Sequence, residues 1–168
     1  DALHIIAQKA DGAMRDALSI FDRVVSYSGN SLTREAVSKN LNVLDYDVFF
    51  FITSLILENK IPELLVYFDE ILKNGFDGQH YIAGLASHFR DLMVCKNPQT
   101  IPLLEVGETA KHMYQEQSQK CALGFLKESI IIANNCDLNY KLSKNQRLLV
   151  ELSLMQLASV TFDGAKKK

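Results

Sequence analysis

Arg15 follows Gly12 by three residues in the string Asp11-Gly12-Ala13-Met14-Arg15-Asp16, where an apolar helical pattern resumes after a break. An arginine in the first turn of a helix sits beside backbone N–H groups that have no partner within the helix, and both attract anions. The planar guanidinium fork matches a pair of phosphate oxygens. A glycine just before the helix lets a ligand or another backbone come close. These residues could therefore hold a phosphate group. Arg15 equally has carboxylates nearby in Asp11, Asp16 and Asp22. Pairing with one of them would make Gly12 a plain turn residue.

Other chemistry-bearing residues are scattered. His80 and the run His88-Phe89-Arg90-Asp91 place a histidine and a carboxylate on one helix face. Two-metal hydrolysis needs further ligands from other helices, and His4 and His112 have no companions. We read these as partly exposed helix histidines. Cys95, Cys121 and Cys136 lack the neighbouring base and electropositive setting of a nucleophilic cysteine, and no C-x-x-C spacing suggests zinc. They are read as small buried thiols in a reducing compartment. The basic end Lys166-Lys167-Lys168 is read as a solvated terminus or linker start rather than a nucleic-acid contact.

The elements that must position these residues are helical. Apolar residues spaced three and four apart mark stripes over 2–10 (Leu3, Ile6, Ala7, Ala10) and 13–28 (Met14, Ala17, Leu18, Phe21, Val24, Val25). Thr33 can cap a short helix carrying Val37 and Leu41, Asp45 a helix over 46–58, and Asp77 a helix over 78–96. Pro62 suits a first helical turn and Gly75 a helix stop. Asn97 to Val106, with two prolines, reads as a loop. Helices over 107–118 and 119–134, a polar connection from Asn134 to Ser143, and a last helix over 144–160 complete the pattern. Phe49, Phe50 and Phe51 cannot all face one core, because neighbours point about 100° apart. Either that helix is surrounded or one ring meets a partner. The last helix raises the same question, since its leucines cover a wide arc.

Bulk properties fit one globular domain, or a domain with part of another. The chain has 168 residues, 48% hydrophobic and 23% charged, with a net charge of -2. That balance excludes wholesale disorder and a broad basic nucleic-acid surface. The apolar run from Val48 to Leu57 is too short to span a bilayer. Asp1 opens directly into a helical pattern without an initiator methionine, which is read as a piece of a longer chain beginning upstream.

The string from Ala10 to Asp22 (ADGAMRDALSIFD) closely resembles the sensor-2 helix of bacterial clamp loaders of the gamma/tau type, AAA+ ATPases of DNA polymerase III. The resemblance implies that Arg15 touches the terminal phosphate of ATP bound to the same subunit and that Gly12 is the permissive turn before it. Residues 31–44 (SLTREAVSKNLNVL) resemble the end of the family's lid domain. Residues 45–160 resemble its collar, through helix order and patterns such as Phe68 to Asp77 (FDEILKNGFD). The departures bound the reading. No G-x-x-x-x-G-K-[ST] loop, no acidic magnesium motif and no arginine-finger context occur here, and the lid lacks its first helix.

The resemblance thus implies an all-α fold, with a partial lid over 1–44, a multi-helix collar bundle over 45–162 and a tail over 163–168. It implies ATP sensing and subunit assembly for loading a sliding clamp onto primed DNA in the cytoplasm. The piece itself is expected to be no enzyme and to hold no catalytic residue, metal or cofactor, with ATP and magnesium used by the full-length protein. Its partners would be other clamp-loader subunits through the collar, with self-association through the same faces. Clamp and DNA would be met only by the full complex, and no membrane is involved. The alternatives are the lid and collar of another AAA+ replication protein, or a free-standing helical interaction module.

Overall fold

The computed structural model describes residues 2–29 and 31–165, and among these it contains α-helices and no strand. The helices are α1 (Ala2–Lys9), α2 (Met14–Ser28), α3 (Arg34–Leu41), α4 (Tyr46–Leu57), α5 (Ile61–Lys73), α6 (Gly78–Val94), α7 (Glu108–Lys120), α8 (Leu123–Tyr140) and α9 (Gln146–Ala165). Asp1 and the basic end Lys166-Lys167-Lys168 lie outside the described residues.

Local signals set most boundaries. The Thr33 hydroxyl accepts from the Ala36 N–H at 3.2 Å, and Asp77 accepts from the His80 N–H at 2.9 Å, so α3 and α6 are capped by side chains. Asp45 caps α4 through the Tyr46 N–H at 2.7 Å. Pro62 lies in the first turn of α5, where a missing N–H costs nothing. Gly75 ends the same helix at φ +86°, a backbone conformation that side-chain-bearing residues resist. The Phe76 N–H then closes back onto the Ile71 carbonyl at 3.2 Å.

Two apolar clusters form. The smaller joins Ile6 of α1, Val24 of α2, and Val37 and Leu41 of α3, with Val43 packed against it. The larger begins with Leu44 at its margin and takes its core from α4 to α9. Helix α6 lies along α8 and touches α4, α7 and α9. Its Tyr81, Ile82, Leu85, Phe89 and Leu92 are wholly buried. The ring of Phe49 crosses α6 at Gly84, where an added Cβ would lie 2.4 Å from the ring tip. A side chain at position 84 would thus displace that crossing.

Three sequence expectations need correction. Helix α8 runs on to Tyr140, through most of the stretch expected to be a polar connection. Buried Ala133 and Cys136 keep one face of that stretch on the core, and tertiary packing overrides the weak helix propensity of its asparagines. Helix α9 extends to Ala165, beyond the expected end at 160 and into the stretch expected to be tail. His88 is buried at 1% exposure, not partly exposed, because it lies on the inward stripe of α6 beside Leu85, Phe89 and Leu92.

Candidate functional site

The start of α2 is built by its preceding turn. The Asp11 N–H binds the Gln8 carbonyl and the Ala13 N–H binds the Ala10 carbonyl, closing the chain tightly after α1. Asp11 (φ +48°) and Gly12 (φ +80°) both occupy left-handed backbone. Aspartate tolerates this and glycine adopts it freely. Nothing lies within 4 Å of where a Cβ on Gly12 would be, so the glycine is needed for conformation and not for space. Ala13 then enters the helix extended and without a side-chain cap. The first N–H groups of α2 therefore receive no side-chain acceptor from that position, the state in which a helix start favours an anion.

Arg15 is the second residue of α2 and is exposed. Among the described residues it forms no ion pair, so none of Asp11, Asp16 and Asp22 takes up its charge. Met14 beside it is 74% exposed and Leu18, one turn on, is 57% exposed. The outward face of α2 thus carries a free guanidinium flanked by apolar side chains. The inward face is anchored by Val24 with Ile20 and Phe21.

The remaining sequence candidates separate. His80 is exposed, and 3.9 Å separates its Nδ1 from the Asp77 carboxylate. His88 faces the interior, where its Nε2 meets Gln117 Oε1 at 3.0 Å and its Nδ1 meets the Tyr114 hydroxyl at 3.0 Å. Gln117 donates its own amide N–H to the Phe50 carbonyl at 2.9 Å, so its oxygen is the atom that accepts from His88. The imidazole is thus a neutral link between α4, α6 and α7. Burial pushes it down to about 4, and the hydrogen bond to Gln117 offsets only part of that shift. Asp91 does not join it in a ligand set. Its carboxyl is 2.8 Å from Arg90 Nη1 and is raised by burial against that attraction. Among the described residues no three His, Cys, Asp or Glu side chains gather as a metal site. Cys121 and Cys136 are buried, Cys95 is half-buried, and burial raises all three thiols.

Apolar surface concentrates elsewhere. Phe49 and Phe50 are buried, whereas Phe51 is 48% exposed and leans edge-on against Tyr67, with 4.9 Å between ring centroids. Between α8 and α9 runs an open groove of about 890 Å³, lined among others by Ile131, Leu149, Leu152 and Met155. Leu152 is 49% exposed and Ile131 44%. Both helices carry apolar side chains on their outer as well as inner faces, which is why their patterns show no clean stripe.

Sequence reasoning missed one cluster. Arg34, at the start of α3, reaches Asp45, Tyr46 and Asp47 at the start of α4. Its only trace in the sequence is an arginine eleven residues before an Asp-x-Asp, a spacing that suggests no contact until the chain turns a corner.

Residues 1–30 match the family model of the DNA polymerase III clamp loader subunit, ATPase lid domain. The chain is 28% identical over 167 residues to DNA polymerase III subunit tau of Bacillus subtilis, covering 98% of this chain and 29% of that protein. It is 20% identical over 161 residues to DNA polymerase III subunit gamma of Buchnera aphidicola, covering 93% of this chain and 43% of that protein. A DNA clamp loader delta protein of Bacillus subtilis shares the fold, with a TM-score of 0.60 at 19% identity over 92% of this chain and 49% of the other. The chain therefore spans less than half the length of these relatives.

Proposed function

We propose that this chain is part of a clamp-loader subunit of DNA polymerase III and carries a nucleotide-sensing arginine and a subunit-assembly surface. The observation that carries the first part is Arg15. It stands exposed, and without an ion pair among the described residues, in the first turn of α2, after a left-handed Asp11-Gly12 turn and inside the segment that matches the lid family. In the full-length protein Arg15 would donate to a terminal phosphate oxygen of ATP, whose magnesium-bound triphosphate supplies the reactive group. The N–H groups at the start of α2 would add to that attraction. Drawing Arg15 toward the phosphate would move α2. Val24, packed with Ile6 and Val37, would carry the movement into α1 and α3.

The second part rests on the bundle. The α8–α9 groove, with Ile131 and Leu152 half-exposed, is the kind of apolar surface that subunit contacts cover. Other clamp-loader subunits would bind there, and clamp and primed DNA would be met only by the assembled complex. The lid spans 1–44 and the collar 45–162 in this reading, and the working compartment is the cytoplasm. The chain alone would not hydrolyse ATP, since Arg15 without a phosphate loop and a metal site cannot organise phosphoryl transfer.

The test is Arg15→Ala in the full-length protein. A charge-assisted hydrogen bond contributes about 1.5–3 kcal/mol. ATP hydrolysis is expected to fall about tenfold or more while the complex elutes at its normal size. Unchanged ATP hydrolysis would remove the sensor role.

A further inference from the structure

Helices α3 and α4 meet at an angle of 87°. They belong to different clusters. Val37 and Leu41 of α3 are buried in the small one, and Phe49, Phe50 and Ile52 of α4 in the bundle. One side chain ties the start of one helix to the start of the other. Arg34 places its Nε 2.7 Å from Asp45 Oδ2 and its Nη2 2.5 Å from Asp47 Oδ2. Its Nη1 donates to the Tyr46 hydroxyl, and the guanidinium lies over the Tyr46 ring, 4.3 Å from the centroid. Asp45 serves both helices, since its other oxygen caps α4. The Arg34 and Asp45 side chains are only 20% and 17% exposed, so solvent screens this contact less than a surface pair.

The rest of the junction has fewer polar ties, among them Asn42 Nδ2 donating to the Gly75 carbonyl at 3.4 Å. Between α1 and the bundle lie two crevices of about 270 and 250 Å³, bordered by Ile5, Gln8, Phe49 and Gly84. The direct hydrogen bond across that side joins His4 Nε2 to the Glu105 carbonyl at 2.6 Å. The connection itself passes through Asn42 in left-handed backbone, at φ +52°. Across this junction a planar guanidinium donates from Nη1 to Tyr46 and from Nη2 to Asp47, and its Nε meets Asp45 as an ion pair without a hydrogen bond.

We propose that Arg34 is a positioning residue that sets the angle between the α1–α3 unit and the α4–α9 bundle. Lysine is not expected to replace it, because a single ammonium lacks the spread, planar donors that reach Asp45, Tyr46 and Asp47 at once. The use of that angle, passing movement of α2 to the bundle, rests on the reading of Arg15 given above. The angle itself does not.

The experiment is a distance measurement on the whole chain, with fluorescent donor and acceptor placed at the exposed positions Tyr27 on α2 and Leu138 on α8 through non-cysteine chemistry. Arg34→Gln is expected to broaden the distance distribution and shift its mean by more than the width seen in the unsubstituted chain. Helix content should be retained. Asp47→Asn, which leaves the Asp45 cap intact, is expected to broaden it less, and Arg34→Lys to resemble Arg34→Gln. A folded Arg34→Gln chain with the unsubstituted distribution would overturn the proposal. If Arg34→Gln loses helix content, an unaltered distribution in Asp47→Asn overturns it instead. Neither outcome touches ATP hydrolysis, so failure here leaves the Arg15 reading standing.

Discussion

At the scale of single residues, environment separates side chains of the same type. Arg15 and Arg34 each lie at the start of a helix. Arg15 is exposed to solvent, and Arg34 is held by two carboxylates and a ring. His80 and His88 lie on one helix, yet only His88 is sealed from water. A buried imidazole held down to about 4 makes folding sensitive to acid. The unfolded chain takes up a proton below its ordinary value near 6.5, and the folded chain does so only near 4. Stability therefore falls as pH drops through that window, by about 3 kcal/mol at full extent. Urea unfolding at pH 7 and pH 4.5 should show this loss. His88→Gln should flatten the dependence while lowering stability at pH 7, because its neighbours Tyr114 and Gln117 lose a well-placed partner.

At the scale of elements, close approach decides what substitution is tolerated. Gly84→Ala would press a methyl group into the Phe49 ring, which must then turn toward the adjoining crevices. The expected cost is about 1–3 kcal/mol, seen as a lowered denaturation midpoint with an unchanged helical spectrum. Much at this scale was legible beforehand. Thr33, Asp45, Asp77, Pro62 and Gly75 act within a few residues of themselves, so their caps and stops are readable from sequence. The length of α8 was not. Its asparagine-rich half is helical because Ala133 and Cys136 face the bundle, and that face exists only once α6 and α9 are in place. The burial of His88 was hidden for a related reason. Its position on the stripe is readable, but its two hydrogen-bond partners come from α7.

At the scale of the whole molecule, apolar side chains border the α8–α9 groove in the open, with Ile131 44% and Leu152 49% exposed. On the assembly reading proposed above, the α8–α9 groove is expected to bind a partner, and in the isolated chain a second copy. Light scattering at rising concentration is expected to show mass above the monomer, and Leu152→Glu should return it toward the monomer. Among the described residues no single helix is long and apolar enough to cross a membrane. The sequence by itself determined the helical class, most helix ends and the lid signature around Gly12 and Arg15, because these depend on periodicity, capping and a contiguous motif. Only the tertiary structure decided that Arg15 forms no ion pair among the described residues, that His88 is sealed inside, that Phe51 is the outward ring and that Arg34 ties α3 to α4. Each of these depends on which distant residues arrive beside the side chain, and local spacing carries no record of that.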